Sequence, residues 1–455
     1  MSETSGPTSV STRLQRIAEL AKKMPRAALT TLSHHIDLDF LREAYRRTRK
    51  DGAIGVDEMS AKQYAEKLDE HLRSLLERFK SGTYWAPPVR RVHIPKGDGT
   101  KTRPIGIPTF EDKVLQRAVT MVMEAIYEQD FLDCSWGFRP GRSALGALEK
   151  LREGLTKMHG GWVIEVDIES FFDTIDHSQL RSFLDQRVRD GVLRRMIDKW
   201  LQAGVLEEGA VHYPDGGTPQ GGVISPLLAN IYLHHVLDTW FETMARPKLR
   251  GEAFLVRYAD DFVIVCVMKR DAEKLMAVLP KRFGKYGLTL HPEKTRLVRF
   301  TEPPFTSRGK GNDGGSGTFD LLGFTHYWQR AYRGHVWVVG RKTAKSRLTR
   351  AIRKVSEWCR ENRHRKVAEQ FKGLVLKLRG HYQYYGITGN GRALHSFYEA
   401  VRRQWHRWLN RRSQRNNMSW ERFGKLLQRY VLPQPIVVHS IYRPQRSRGP
   451  RSRMR

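Results

Sequence analysis

The chain has 455 residues, 40% hydrophobic and 10% aromatic, enough apolar material to bury a sizeable core, which excludes global disorder. Lys and Arg number 80 against 48 Asp and Glu, a formal charge of +32. The excess is lopsided: residues 331–455 hold 31 basic residues against five acids, a net +26, and residues 1–330 carry only +6.

The last quarter is therefore built to meet a polyanion. It is rich in Trp and Tyr and has no lipidation signal, so nucleic acid is favoured over an anionic membrane. Cys134, Cys266 and Cys359 form no C-x-x-C and no Cys/His cluster. A zinc site or disulfide framework is not expected, and a reducing compartment is. The N-terminus is polar, and the longest apolar run, residues 262–268, is too short to span a bilayer. The expected location is the cytoplasm.

In chain order, residues 1–12 are polar. Residues 14–79 place apolar side chains at helical spacing, as in Tyr64, Leu68, Leu72 and Leu75, with Gly52 and Gly55 breaking the run. Residues 84–108 alternate like an extended hairpin around Lys96-Gly97-Asp98-Gly99. Residues 111–129 return to helix. Residues 162–168 read as a buried strand, and 254–267 as two strands around a tight turn at Ala259-Asp260. The glycine-rich stretch 306–318 reads as a linker or hairpin tip, with short strands at 319–327 and 335–339. After Arg341 the pattern is helical. In 392–409, Leu394, Phe397, Tyr398, Val401, Trp405, Trp408 and Leu409 share one face, and Arg392, Arg402, Arg403 and Arg407 lie mostly off it. The Arg/Pro/Ser-rich end, 443–455, predicts disorder in isolation.

The chemistry candidate is a set of acids on apolar strands. Tyr258-Ala259-Asp260-Asp261 sits between two strongly apolar runs, and Asp167 ends another. Adjacent buried carboxylates repel, and a divalent cation removes that penalty. Hard oxygen ligands without His or Cys favour magnesium, and two such ions suit phosphoryl transfer. A bare Asp-Asp pair is also what a solvated hairpin turn contains.

Five segments then occur in order: RVHIPKGDGTKTRPIGIPTF at 91–110, Phe138-Arg139-Pro140-Gly141-Arg142-Ser143, the run from Asp167 to His177, Thr218-Pro219-Gln220-Gly221-Gly222-Val223-Ile224-Ser225-Pro226, and Tyr258-Ala259-Asp260-Asp261. Together they closely resemble the reverse transcriptases of bacterial group II introns, over about residues 40–440. The resemblance implies an α+β fold: a right-hand polymerase, with fingers and an antiparallel palm sheet, followed by an all-helical basic thumb and maturase region. The divisions drawn are 1–83 (N-terminal extension and start of the fingers), 84–330 (fingers and palm), 331–431 (thumb and maturase) and 432–455 (basic tail).

The same resemblance implies that Asp167, Asp260 and Asp261 are the catalytic, metal-binding acids, with Ile168 counted in the metal site. Two Mg2+ ions are expected, with Mn2+ a substitute. Lys96 and Arg103 match the residues that clamp the incoming triphosphate. Phe172, with Phe171 beside it, matches the residue that stacks under the sugar and selects deoxynucleotides; a Phe is also ordinary core packing. Gln220 and Gly221 match nucleotide contacts. Lys294 matches a later palm motif, where an exposed Lys is an equal alternative. Leu322, Gly323 and Phe324 resemble the primer grip, or a plain strand turn.

The pieces Gly380-His381-Tyr382-Gln383-Tyr384-Tyr385-Gly386 and Leu409-Asn410-Arg411-Arg412-Ser413-Gln414 resemble the thumb and maturase region. Arg347, Arg350, Arg353, Lys354, Arg402, Arg403, Arg407, Arg411 and Arg412 are its candidate RNA contacts, and Trp405, Trp408 and Tyr398 are expected mostly in the core. The family's endonuclease module is expected to be missing. The implied function is an RNA-directed DNA polymerase that binds its group II intron RNA, assists splicing and copies the intron into DNA. Its partners would be intron RNA, a template/primer duplex, dNTPs and target DNA, with no membrane. A homodimer is compatible with this reading, as is nucleoid association through the ribonucleoprotein. The alternatives are a domesticated reverse transcriptase without an intron, and an RNA-binding splicing factor without polymerase activity.

Overall fold

A computed structural model of the protein describes residues 9–96, 101–207, 210–213, 216–218, 221–304, 316–331, 336–412 and 418–440. The expected turn at 97–99, most of the glycine-rich stretch and the Arg-rich end lie outside them. The chain divides at Leu297 and Val298 into two compact units.

The first unit opens with α1 (Val10–Lys23), α2 (Leu38–Arg47), α3 (Ala61–Glu66) and α4 (Leu68–Ser81). Side chains start them: Ser9, Asp37 and Ser60 each accept from a backbone N–H of the first turn, and Ser60 with Gln63 forms a reciprocal capping box. Ile17, Ala21, Phe40, Leu41, Leu72, Leu75 and Phe79 are buried in one core with Val114, Leu115 and Val119. These helices thus brace the body of the unit.

Next come β1 (Val89–Lys96), β2 (Lys101–Ile107), α5 (Phe110–Tyr127), α6 (Ala144–Lys157), β3 (Gly160–Val166), α7 (His177–Asp185) and α8 (Gly191–Leu201). The short strands β4 (Val205–Glu207) and β5 (Ala210–His212) precede α9 (Ser225–Leu233), which the chain extends through two π-helical turns, His234–Asp238 and Phe241–Ala245. Then follow β6 (Ala253–Tyr258), β7 (Asp261–Cys266), α10 (Lys269–Gly284) and β8, which starts at Arg296. Among the described residues β2-β1-β4-β5 form one sheet, with β1 antiparallel to β2 and parallel to β4. The other sheet runs β6-β7-β3 with β8 starting beside β3, where Arg296 Nε donates to Glu165 Oε2 at 2.7 Å. The central strand β7 is buried on both faces, as its unbroken apolar run requires.

The second unit holds its own three-stranded sheet, β9 (Phe319–Leu321), β10 (Phe324–Arg330) and β11 (Trp337–Thr343). The helices begin only at Lys345: α11 (Lys345–Glu361), α12 (Val367–Tyr385), α13 (Gly391–Asn410) and α14 (Trp420–Arg429). β11 precedes them because Trp337, Val339, Arg341 and Thr343 alternate onto one buried face. Leu374, Leu378, Leu394, Phe397, Val401 and Leu409 form the helical core. Trp405 lies fully within it, its indole N–H on Gln370 Oε1 at 3.0 Å. No helix among the described residues is long and apolar enough to cross a membrane.

Asp190 ties the N-terminal extension down. Its Oδ2 accepts from the N–H of Leu32 and Ser33 at 2.7 and 2.8 Å, and its Oδ1 caps α8 through Val192 and Leu193. Burial pushes this carboxyl up, yet the amides of Leu193, Ser33 and Leu32 outweigh it and hold its pKa below the usual aspartate range. A depressed folded pKa stabilises above the unfolded value and is lost as pH falls through the folded one. Acidification should therefore loosen residues 24–33 before the core. Asp190→Ala should do so at neutral pH, at a cost of about 2–3 kcal/mol. Hydrogen exchange across residues 24–33 reads both effects.

Candidate active site

The carboxylate hairpin is set by strand register. Tyr258 pairs with Asp261 across β6 and β7, which leaves Ala259 and Asp260 as a two-residue turn. β3 pairs with β7 so that Val166 faces Phe262, and continuing that register brings Asp167 opposite Asp261. Asp167 and the adjacent pair Asp260 and Asp261, distant from it in the chain, thus come to one end of the sheet. Ala259 turns at φ 56°, a backbone region that side chains disfavour. The Gly137 backbone packs so closely that a Cβ there would run into the Ala259 nitrogen.

A buried arginine holds this turn. Arg257 has no exposed surface, and its guanidinium pairs with Asp238 through two bonds of 2.7 and 2.6 Å. It also donates to Asn230 Oδ1 at 2.9 Å, Ser135 Oγ at 2.7 Å and the Ala259 carbonyl at 3.0 Å. Asn230 passes its own amide to the Gly137 carbonyl at 2.7 Å. The 134–137 segment is in turn stitched to β6 by Arg257 N on Cys134 O and Trp136 N on Arg257 O, both 2.8 Å.

Asp167 is anchored from the other side. Ile168 bridges Leu290, Glu169 N donates to Thr289 O at 2.9 Å, and His291 N donates to Asp167 O at 2.8 Å. That pairing carries Lys294 over the site, where its Nζ lies 2.7 Å from Asp167 Oδ2. Lys294 is 59% exposed, and its ammonium faces the Asp167 carboxylate. The Ile168 side chain is buried in the core.

Asp260 carries the electrostatic strain. Burial pushes its carboxyl above the usual range and the charge of Asp167 adds to that; its own backbone amide, Arg103 and Arg257 act in the opposite direction. Desolvation and a like charge are both relieved by a divalent cation. The donors are carboxylates without His or Cys, chemistry that fits a hard cation. No three His, Cys, Asp or Glu among the described residues stand close enough together to hold an ion.

A glycine-containing loop runs alongside. Gly217 N donates to Ile175 O at 2.9 Å and Thr218 N to Phe172 O at 2.7 Å. Gly221 turns at φ 114°, and a Cβ there would sit 2.5 Å from the Gly106 carbonyl oxygen on β2. Phe171 is buried and Phe172 half-buried, their rings edge to face at 5.4 Å. Arg103 is exposed on β2, its charge felt by Asp260. Lys96 ends β1 opposite Lys101. The Lys96 side chain and all of Gln220 lie outside the described residues.

In the second unit, Leu322 and Gly323 form the turn between β9 and β10 at φ 50° and 81°. The Leu322 carbonyl accepts from Tyr384 Oη at 2.8 Å. Arg347, Arg353, Lys354, Arg403, Arg407 and Arg411 are exposed and Arg350 is half-buried. Arg402 instead pairs with Glu399 at 2.8 Å, and Arg412 donates to the carbonyls of Arg363 and Arg365 at 2.6 Å. Arg407 and Arg411 both lie over the half-buried Trp408 ring, at 5.7 and 5.4 Å. Trp420 is 56% exposed.

Sequence reasoning does not single out Arg257, Asp238, Asn230 and Ser135, nor Asp112 and Gln116 of α5. A signal existed: Arg257 interrupts an apolar strand and Asp238 an apolar helical run, and a charge in such a place needs a partner.

Comparison with known proteins places these features. Residues 94–326 match the family described as reverse transcriptase (RNA-dependent DNA polymerase). Residues 348–427 match the group II intron maturase-specific domain. The group II intron-encoded protein LtrA of Lactococcus lactis subsp. cremoris is 45% identical over 231 residues, 50% of this chain and 33% of that protein. The chain thus matches a third of that relative's length. Protein YkfC of Escherichia coli (strain K12) is 34% identical over 325 residues, 62% of this chain and 84% of that protein. Nuclear intron maturase 4 of Arabidopsis thaliana is 27% identical over 260 residues.

Removing Arg257 while Asp238 stays leaves an unpaired buried charge. Arg257→Met should destabilise the fold by about 3–5 kcal/mol. Adding Asp238→Leu should recover most of that loss. Denaturant unfolding of the single and double variants measures both.

Proposed function

The chain belongs to the reverse transcriptase (RNA-dependent DNA polymerase) family, and we propose that it copies RNA into DNA, binds a group II intron RNA and assists its splicing. The observation that carries the polymerase reading is the meeting of Asp167, Asp260 and Asp261 at one sheet end. The maturase-specific match at 348–427 supports the intron reading.

Reverse transcriptases use divalent metal ions. In this chain Asp167, Asp260 and Asp261 would hold them, their carboxylates drawing closer around an ion than they stand without one, and an all-oxygen donor set favours two Mg2+. Bound there, the ions supply stabilisation of the charge that develops on the reacting phosphate oxygens. The chain's own groups do the rest by position and charge. Arg103 offers a fixed positive charge beside Asp260 for the triphosphate, with Lys96 on the same hairpin. Lys294 neutralises Asp167. Gly221 lets the loop backbone approach a nucleotide that Gln220 contacts. Phe172 lies under the sugar, where a 2′-hydroxyl has no room. The Leu322-Gly323-Phe324 turn supports the primer strand.

The exposed basic residues of α11 and α13 take phosphates of intron RNA or of the template duplex, and Trp420 offers a ring for an unpaired base. Arg402 and Arg412 have protein partners and contribute less to that grip. Target DNA would be the second nucleic-acid substrate.

Primer extension on a poly(rA)/oligo(dT) duplex with magnesium should give DNA synthesis; none from the folded protein defeats the polymerase reading. Asp260→Ala/Asp261→Ala should abolish synthesis and keep intron RNA binding. Exchanging Arg347, Lys354 and Arg403 for Gln should shallow the salt dependence of RNA binding by about 2 in log–log slope. An unchanged slope removes these faces from the grip.

A further inference from the structure

The loop that carries Gly221 has an unusual support. Asp112 and Gln116 lie one turn apart on α5 and are 2% and 4% exposed. Asp112 Oδ1 accepts from Trp200 Nε1 at 2.7 Å and Tyr84 Oη at 3.1 Å. Its Oδ2 accepts from Gln116 Nε2 at 2.9 Å. Gln116 Oε1 then accepts from the backbone N–H of Val223 at 2.6 Å and of Ile224 at 3.3 Å. We propose that Asp112 and Gln116 are a positioning pair, in which the carboxylate fixes the orientation of the Gln116 amide and the amide fixes the Gly221–Ile224 backbone for the incoming nucleotide. The proposal rests on reading that loop as nucleotide-facing.

Polarity dictates the arrangement. An ionised carboxylate only accepts, so the Gln116 NH2 must face Asp112 and its carbonyl oxygen must face the loop. A flipped amide would set NH2 against two backbone N–H groups. Burial raises the Asp112 carboxyl to about 6, so above that pH the pair is locked in this sense. Its titratable and charged neighbours are Tyr84 and Glu111, the latter paired with Arg78 at 2.9 Å. A buried carboxylate is a poor means of stabilising a core, because apolar residues of similar volume pack as well at no desolvation penalty. It suits a segment whose conformation must be specified. The loop is such a segment, with Gly217 and Gly221 both at positive φ and little preference of their own. Among the described residues its start is held by the bonds to Phe172 and Ile175 and by His177 on the Gly217 carbonyl, and Thr218 Oγ1 donates to Ser225 Oγ at 3.2 Å.

The geometry allows a polarity swap. In Asp112→Asn, the oxygen keeps the Trp200 and Tyr84 bonds and the new NH2 meets the NH2 of Gln116. In Gln116→Glu, two carboxylates face each other and must share a proton, which is lost as pH rises. In the double variant the new amide at position 112 donates to one oxygen of the new carboxylate at position 116. The other oxygen of that carboxylate takes the Val223 and Ile224 amides. Every bond is restored.

The test compares these three variants with the wild-type chain. Each single variant should raise KM for dNTP roughly tenfold, the equivalent of one lost hydrogen bond, with primer–template affinity unchanged. Gln116→Glu should lose more as pH rises. The double variant should return KM to within about twofold of wild type. Hydrogen exchange in a peptide spanning Val223 and Ile224 should quicken in the singles and recover in the double, which reads the positioning whatever the activity. Single variants with wild-type KM and exchange overturn the proposal. So does a folded double variant that stays impaired, and that arm decides alone if the singles do not fold. Gly221→Ala separates the two readings. If it leaves dNTP KM unchanged, the loop does not face the nucleotide and the underlying reading fails. If it raises KM while the swap set is silent, only the Asp112–Gln116 proposal fails.

Discussion

The Arg257 guanidinium is the point on which the site's geometry hangs. It lies fully buried against an equally buried Asp238, and in that setting neither charge can be left alone. Satisfying the remaining donors draws in Asn230, Ser135 and the Ala259 carbonyl. The result fixes a turn that would otherwise avoid a positive φ at an alanine. The same cation lowers the cost of ionising Asp260, which burial and Asp167 raise. A structural ion pair and the electrostatics of the site are therefore one arrangement.

Around that hub, rigid elements hold each segment of the candidate site by its backbone. The 167–169 segment is tied to 289–291, which delivers Lys294 to Asp167. The 217–218 segment is tied to Phe172 and Ile175, and Val223 and Ile224 hang from Gln116. Close backbone approaches at Gly137 and Gly221 leave no room for side chains. Backbone attachment suits the proposed phosphoryl transfer, a reaction in which positioning supplies most of the catalysis. The second unit follows another logic: a buried aromatic and aliphatic core under faces that keep most of their arginines exposed.

Much of this was legible in the sequence. The hairpin of β1 and β2, the strand β3, the pair β6 and β7 and the amphipathic α13 follow from local periodicity and turn residues. The order of the motifs pointed to the family. Local pattern could not place β4 and β5, three residues each, because strands so short have almost no periodicity. It could not separate Arg412 from its exposed neighbours either, since the Arg363 and Arg365 carbonyls that engage it lie between α11 and α12 of the folded unit, whereas the Arg402–Glu399 pair is a local i,i+3 contact.

What the sequence determined by itself was the chemistry available: three aspartates on apolar strands, a glycine loop, and a charge excess of +32 concentrated in the last quarter. What only the tertiary structure decided was which groups answer one another across the chain. Arg257 meets Asp238 and Ser135, and Gln116 meets Val223, more than a hundred residues away. The reason is physical. Periodicity reports which face of an element is buried, whereas the partner of a buried polar group is chosen by where the packed elements bring a matching donor or acceptor.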